Sequence, residues 1–221
     1  MLDFQLGPFL IQGSYIMILI SLITAVIGLV SLLHTYRIPH KKTISNEWIQ
    51  SILLVIVTWK FSYILVHPIE GIQDPLRLIY FDGGAVGWIV GSGIALLLYA
   101  KALAKSDISF TIAVNTFVFG GFLLFGAYNV LTTVFLSIYW QSIWFGIFYI
   151  AIAAFYFFSN RLMKLRSALR LGQWAVVGWI GHDMMNGNIH MNDWTLWGAF
   201  GLGVLLIVLD FRLDKGSEIH D

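Results

Sequence analysis

Between Ile108 and Asn160 the chain carries no Asp, Glu, Lys or Arg. A water-soluble domain has about one charged residue in four, so a run of this length has no place on a hydrated surface. One membrane helix needs roughly 20 residues, which makes the run too long for one helix and suitable for two. The break falls either at Gly126-Ala127-Tyr128-Asn129 or within SIYWQSIW, where Tyr139 and Trp140 suit a membrane interface. The rest of the chain has the same character. It is 58% hydrophobic and 11% charged, with a mean hydropathy of +0.80.

Apolar runs place the first span at about Gly13 to Leu33, after the short amphipathic lead FQLGPFLI. The second runs from about Trp48 to Val66 and the third from about Gly84 to Ala100. Two more fill the uncharged stretch. A sixth, short or partly interfacial, covers about Leu171 to Met185, and a seventh about Trp194 to Leu209. Eleven of the thirteen Lys and Arg lie between alternate spans: Arg37, Lys41, Lys42; Lys101, Lys105; Arg161, Lys164, Arg166, Arg170; Arg212, Lys215. Only Arg77 and Lys60 fall elsewhere. The positive-inside rule then predicts an all-α, polytopic membrane bundle of about seven spans, N-terminus outside and C-terminus cytoplasmic.

The spans nearly consume the 221 residues, so a single transmembrane domain over 1–221 is expected, with no separate soluble domain. Zero cysteines exclude disulfides, thiol catalysis and thiolate metal sites from this chain's own side chains. Met1 to Leu10 lacks the basic region of a cleaved signal peptide. No internal repeat supports an inverted-repeat transporter.

The chemistry-bearing residues gather around Lys60 to Ala104. Lys60 is a cation inside the second span, where a charge costs a few kcal/mol and faces a bundle interior or wet cavity. It reads as an anion site such as a lipid phosphate, with Tyr63 one turn further on, or else as a snorkelling or structurally paired lysine. Asp82-Gly83-Gly84 reads as a bare N-cap of the third helix or as a place where a headgroup approaches glycine backbone. Gly87 and Gly91 have the GxxxG spacing, explained most simply by helix packing. The outer stretch from His182 to Asp193 offers His182, Asp183, His190 and Asp193, but at no zinc-ligand spacing, and a hydrated loop explains it. Asn115 and Asn129 read as amides that find partners on another helix. The loop 161–170 sets topology and meets anionic lipid.

The order of these elements resembles the bacterial prolipoprotein diacylglyceryl transferase family. The resemblance rests on FQLGPFLI followed by Tyr15, Lys60 with Tyr63, Asp74-Pro75-Leu76, Asp82-Gly83-Gly84, the Gly87 and Gly91 pair, LLLYA, and Ser109-Phe110. It covers about residues 4–110 and weakens through Asn129. It implies an enzyme of the bacterial plasma membrane that transfers diacylglyceryl from phosphatidylglycerol to a prolipoprotein cysteine, releasing glycerol phosphate. No metal or other cofactor and no nucleic acid are expected. The positions that carry over are Lys60, Tyr63, Asp82, Gly83, Gly84 and Asn129, as a lipid-phosphate site. His182 and His190 are the candidates for the base. The chain departs from the family in having Val86 where a histidine precedes the glycines, with a spacing from DGG two residues shorter. It also has no arginine between Arg77 and Arg161, Lys60 in place of the preferred arginine, and no outer head region. The alternative is a catalytically silent relative that binds lipid or an exported partner protein; a small transporter ranks below it, since it would want more polar groups at mid-membrane than Lys60 and the asparagines offer.

Overall fold

The computed structural model describes residues 3–6, 9–66, 84–136, 141–158, 165–185, 201 and 203–207. Six helices are seen as whole elements among these: α1 (Gly13–Thr35), α2 (Lys41–Val66), α3 (Gly84–Ala104), α4 (Phe110–Leu136), α5 (Gln141–Phe158) and α6 (Leu165–Met185). Residues 203–207 are also helical, within the expected seventh span. α1 and α4 are long and apolar enough to cross a membrane, and Val90–Ala104 and Ser142–Phe158 are shorter apolar stretches.

The described elements are helical, as expected, apart from the amphipathic lead, where Asp3–Leu6 (β1) and Phe9–Gln12 (β2) pair antiparallel, with Leu6 opposite Phe9 and Asp3 opposite Gln12. Phe4-Gln5-Leu6 alternates apolar and polar residues, and the intervening sequence is Gly7-Pro8, a pair that favours turns over helix. α2 begins at Lys41 rather than near Trp48, and α6 at Leu165 rather than Leu171. Hydropathy marks only the part of a helix that is apolar, while backbone hydrogen bonding continues through charged first turns. Of the two places for the break in the uncharged run, α4 passes straight through Gly126–Asn129 and ends at Leu136, so the second is the one used.

The chain divides into two compact units, one of Ile38–Val114 and one of Met1–Arg37 with Asn115–Asp221. In the first of these, α3 turns a single stripe towards α2. Gly87, Gly91, Ala95, Tyr99 and Leu103 recur every four residues and are all buried. A Cβ on Gly87 would stand 3.1 Å from the Trp59 Cα, and one on Gly91 would stand 3.2 Å from the Val55 carbonyl oxygen. The two contacts run in opposite directions along the helices, so α2 and α3 are antiparallel and closest at their glycine end. This is the helix-packing role expected of GxxxG. Gly93 has nothing near it and takes no part.

α3 ends in a Schellman motif. Ile108 N–H donates to the Leu103 carbonyl at 3.2 Å and Asp107 N–H to the Ala104 carbonyl at 3.2 Å. Asp107 takes the left-handed position, φ 56°, where glycine is usual. Ile108 and Leu103 are both buried beside it, the apolar contact that accompanies this cap.

In the other unit, α4 and α5 cross backbone to backbone at Gly126 and Gly146. A Cβ on Gly126 would lie 3.0 Å from the Gly146 carbonyl oxygen, and one on Gly146 would lie 2.8 Å from that of Gly126. Tyr149 on α5 then joins α4 to α6. Its ring stacks on Phe122 at 5.4 Å and meets Phe125 edge-on at 5.1 Å. Its hydroxyl donates to the Ala175 carbonyl at 3.3 Å, and Gly178 makes the room, since a Cβ there would be 2.6 Å from that oxygen. The end of α5 is tied to α1, because the Tyr36 hydroxyl donates to the Phe157 carbonyl. Phe157 lies in the last turn of α5, where carbonyls have no partner within the helix.

Candidate functional site: Lys60 on the α2–α3 pair

Lys60 occupies the last third of α2, six residues before Val66. At 1.5 Å per residue that is about 9 Å from the helix end. Extending α2 back to Lys41 thus moves the cation away from the middle of its helix. The side chain is half-buried, and its Nζ rests 4.8 Å from the centroid of the Trp59 ring. A partly desolvated ammonium on an indole face gains roughly 0.5–2 kcal/mol.

Trp59 is itself held. It is 9% exposed, and Trp88 of α3 packs on it at 5.1 Å with 32° between the rings. Ser62 completes the wall; its hydroxyl donates back to the Trp59 carbonyl at 2.7 Å, which leaves a small, satisfied residue where Gly87 approaches. The glycine end of the seam, the tryptophan pair and the lysine therefore form one construction. Trp59 and Trp88 were absent from the sequence candidates. The available signal was position: each tryptophan adjoins a residue already singled out, Lys60 or Gly87, on neighbouring helices.

The remaining candidates are distributed as follows. Tyr63 continues α2 one turn beyond Lys60, and Gly84 is the first residue of α3, directly after Asp82 and Gly83 in the chain. The side chain of Tyr63, and Asp82 and Gly83 entirely, lie outside the described residues. His182 is in α6 with its side chain outside them, and His190 lies outside them altogether.

Asn129 is buried on α4, at 5% exposure. Its Nδ2 donates to the Phe125 carbonyl at 2.8 Å, within its own helix rather than across to another. Thr132 and Thr133 repeat the pattern, bonding back to Tyr128 and Asn129 carbonyls at 2.8 Å each. The amide thus begins a run of polar side chains satisfied by their own helix, as hydroxyl residues do in apolar surroundings. Lys60 and Gly84 belong to one compact unit and Asn129 to the other.

Among the described residues no group of three or more His, Asp or Glu side chains is placed to hold a metal ion. No family model, curated protein or solved structure matches the chain.

Proposed function

We propose that this chain is a multi-pass protein of the bacterial plasma membrane that holds phosphatidylglycerol by its phosphate at Lys60, as a diverged relative of prolipoprotein diacylglyceryl transferase. Support for the membrane placement comes from what the helices turn outward. Leu19, Ile23 and Ile27 on α1, Leu53 and Phe61 on α2, and Leu97 on α3 are all exposed, where a protein in water would place charge. Lys and Arg between alternate apolar runs of the sequence support seven spans with the N-terminus outside and the C-terminus cytoplasmic.

The observation that carries the lipid reading is the half-buried Lys60 ammonium on the Trp59 face, at the end of the seam that adjoins Asp82-Gly83-Gly84 in sequence. A positioned cation in low dielectric is what the phosphate needs, both in binding and when glycerol phosphate departs. In the transfer, the acceptor thiol sulfur bonds to the glyceryl carbon while that carbon's bond to the phosphate oxygen breaks. The thiol proton goes to a base, for which His182 and His190 are the candidates.

A second reading, a catalytically silent relative that keeps the lipid site and serves an exported partner, is favoured by Val86 and by the lack of arginine between Arg77 and Arg161. The experiment combines purified protein, phosphatidylglycerol and a lipobox peptide, with mass spectrometry on the peptide cysteine. A diacylglyceryl adduct that disappears in Lys60→Met supports the transferase. No adduct, while a conventional family enzyme works in the same assay, supports the silent relative.

A further inference from the structure

In the compact unit that does not contain Lys60, α5 and α6 line an open apolar groove of about 310 Å³. Phe155 and Trp174 form its outer walls, 62% and 49% exposed, and Ile152 and the buried Tyr156 line it further in. The edge-on contact of Phe148 with Trp174, 6.2 Å between rings, spans α5 and α6 beside it. Phe145 meets Gly181 and Tyr149 meets Gly178, so the two helices are antiparallel. The same register brings Ile152 level with Trp174 and Tyr156 level with Arg170.

Arg170 precedes Trp174 by four residues and shares its face of α6. It is half-buried and lies at the end of the groove where α6 begins and α5 ends, beside Arg166 and the basic segment 161–164 in sequence. Sequence alone puts Arg166 and Arg170 near the start of α6; the structure adds an apolar groove along α5 and α6.

We infer that this groove is a second lipid site, occupied by one acyl chain of an anionic phospholipid whose phosphate is met by the Arg170 guanidinium. Charge complementarity chooses this occupant over a zwitterionic lipid, and the guanidinium fork suits phosphate oxygens. The site is on the cytoplasmic side of the proposed topology. The inference rests on the membrane placement alone and stands whether or not Lys60 binds a substrate lipid.

The test uses the full-length protein in bilayers containing either a phosphatidylglycerol or a phosphatidylcholine analogue with an acyl-chain diazirine. Crosslinked residues are mapped by mass spectrometry. The expected result is labelling concentrated at Phe155 and Trp174 with the anionic analogue. Arg170→Gln lowers that labelling about five-fold, the scale of one basic residue facing anionic lipid; Arg170→Lys retains most of it, and Lys60→Met leaves it unchanged. Ala151→Trp, which fills the groove, lowers labelling at Phe155 and Trp174 with either analogue. Equal labelling by both headgroups, or labelling spread evenly over outward residues such as Ile27 and Leu97, means annular lipid only and overturns the site. So does an Arg170→Gln protein that keeps its fold and labels as strongly as wild type.

Discussion

The Lys60 ammonium lies over the ring of its chain neighbour Trp59, at 4.8 Å from the centroid. Consecutive residues on a helix point about 100° apart, so the lysine stem must curve back to make this contact. Its position depends on the ring staying where it is, and the ring is fixed by Trp88 across the α2–α3 seam. Replacing Trp88 by Leu therefore weakens anionic-lipid capture at Lys60 without touching a charge. The expected effect on phosphatidylglycerol labelling is two- to five-fold, the scale of about 0.5–1 kcal/mol for a partly exposed cation–π contact. Trp88→Phe retains most of the capture.

Gly91 has the Val55 carbonyl 3.2 Å from where its Cβ would be. A backbone atom cannot swing aside, so Gly91→Leu forces α2 and α3 apart. The cost is about 1–3 kcal/mol of overpacking, read as a lower thermal transition in detergent. Gly93→Ala is the control. Nothing lies within 4 Å of its Cβ position, and the alanine adds stability through helix propensity, about 0.5–1 kcal/mol.

The α4–α5 crossing behaves differently because glycine is needed on both sides. Gly126→Ala and Gly146→Ala each push a methyl towards the opposite carbonyl. Each single variant lowers the thermal transition. The double variant loses less than the two together, since the first substitution has already opened the crossing and sites in contact are non-additive.

Asp107 holds a left-handed backbone, φ 56°, at a cap whose two hydrogen bonds are both made. Asp107→Gly relieves strain and raises stability by about 1 kcal/mol. Asp107→Val keeps the same cap hydrogen-bond groups yet lowers stability, because a β-branched side chain resists positive φ. Thermal unfolding of the two variants against wild type checks the sign of each.

Tyr36→Phe removes the hydroxyl that satisfies the Phe157 carbonyl at the end of α5 while the ring keeps its edge-on contact with Phe157. The expected loss is about 0.5–1.5 kcal/mol, with the higher end if the carbonyl is left dry. Hydrogen exchange over the last turn of α5 rises in the variant and stays unchanged in α2 and α3.

Hydropathy gave the helices and failed at their ends for a definable reason. Lys41 and Lys42 in α2, and Arg166 and Arg170 in α6, lower the apolar average of opening turns that are nonetheless helical, so α2 and α6 read short. The GxxxG seam was legible because Gly87 and Gly91 mark their own contact. The Trp59–Trp88 pair was not, since stacking between helices depends on their register, and a single sequence does not state it. Asn129 illustrates the same limit: its burial was legible, but its bond to Phe125 in its own helix depends on rotamer. The hairpin was missed because a four-residue strand has too few alternations to stand out from an amphipathic lead.

The most direct test of the central claim is headgroup crosslinking. A phosphatidylglycerol analogue with a photoreactive glycerol headgroup is presented to wild type, Lys60→Arg and Lys60→Met in the same bilayers, with crosslinked residues mapped. Labelling along α2 near Lys60 that persists in Lys60→Arg and falls at least five-fold in Lys60→Met, the scale of one basic residue, is the predicted result. Undiminished labelling there in a folded Lys60→Met protein would contradict it and leave Lys60 as a structural cation resting on Trp59.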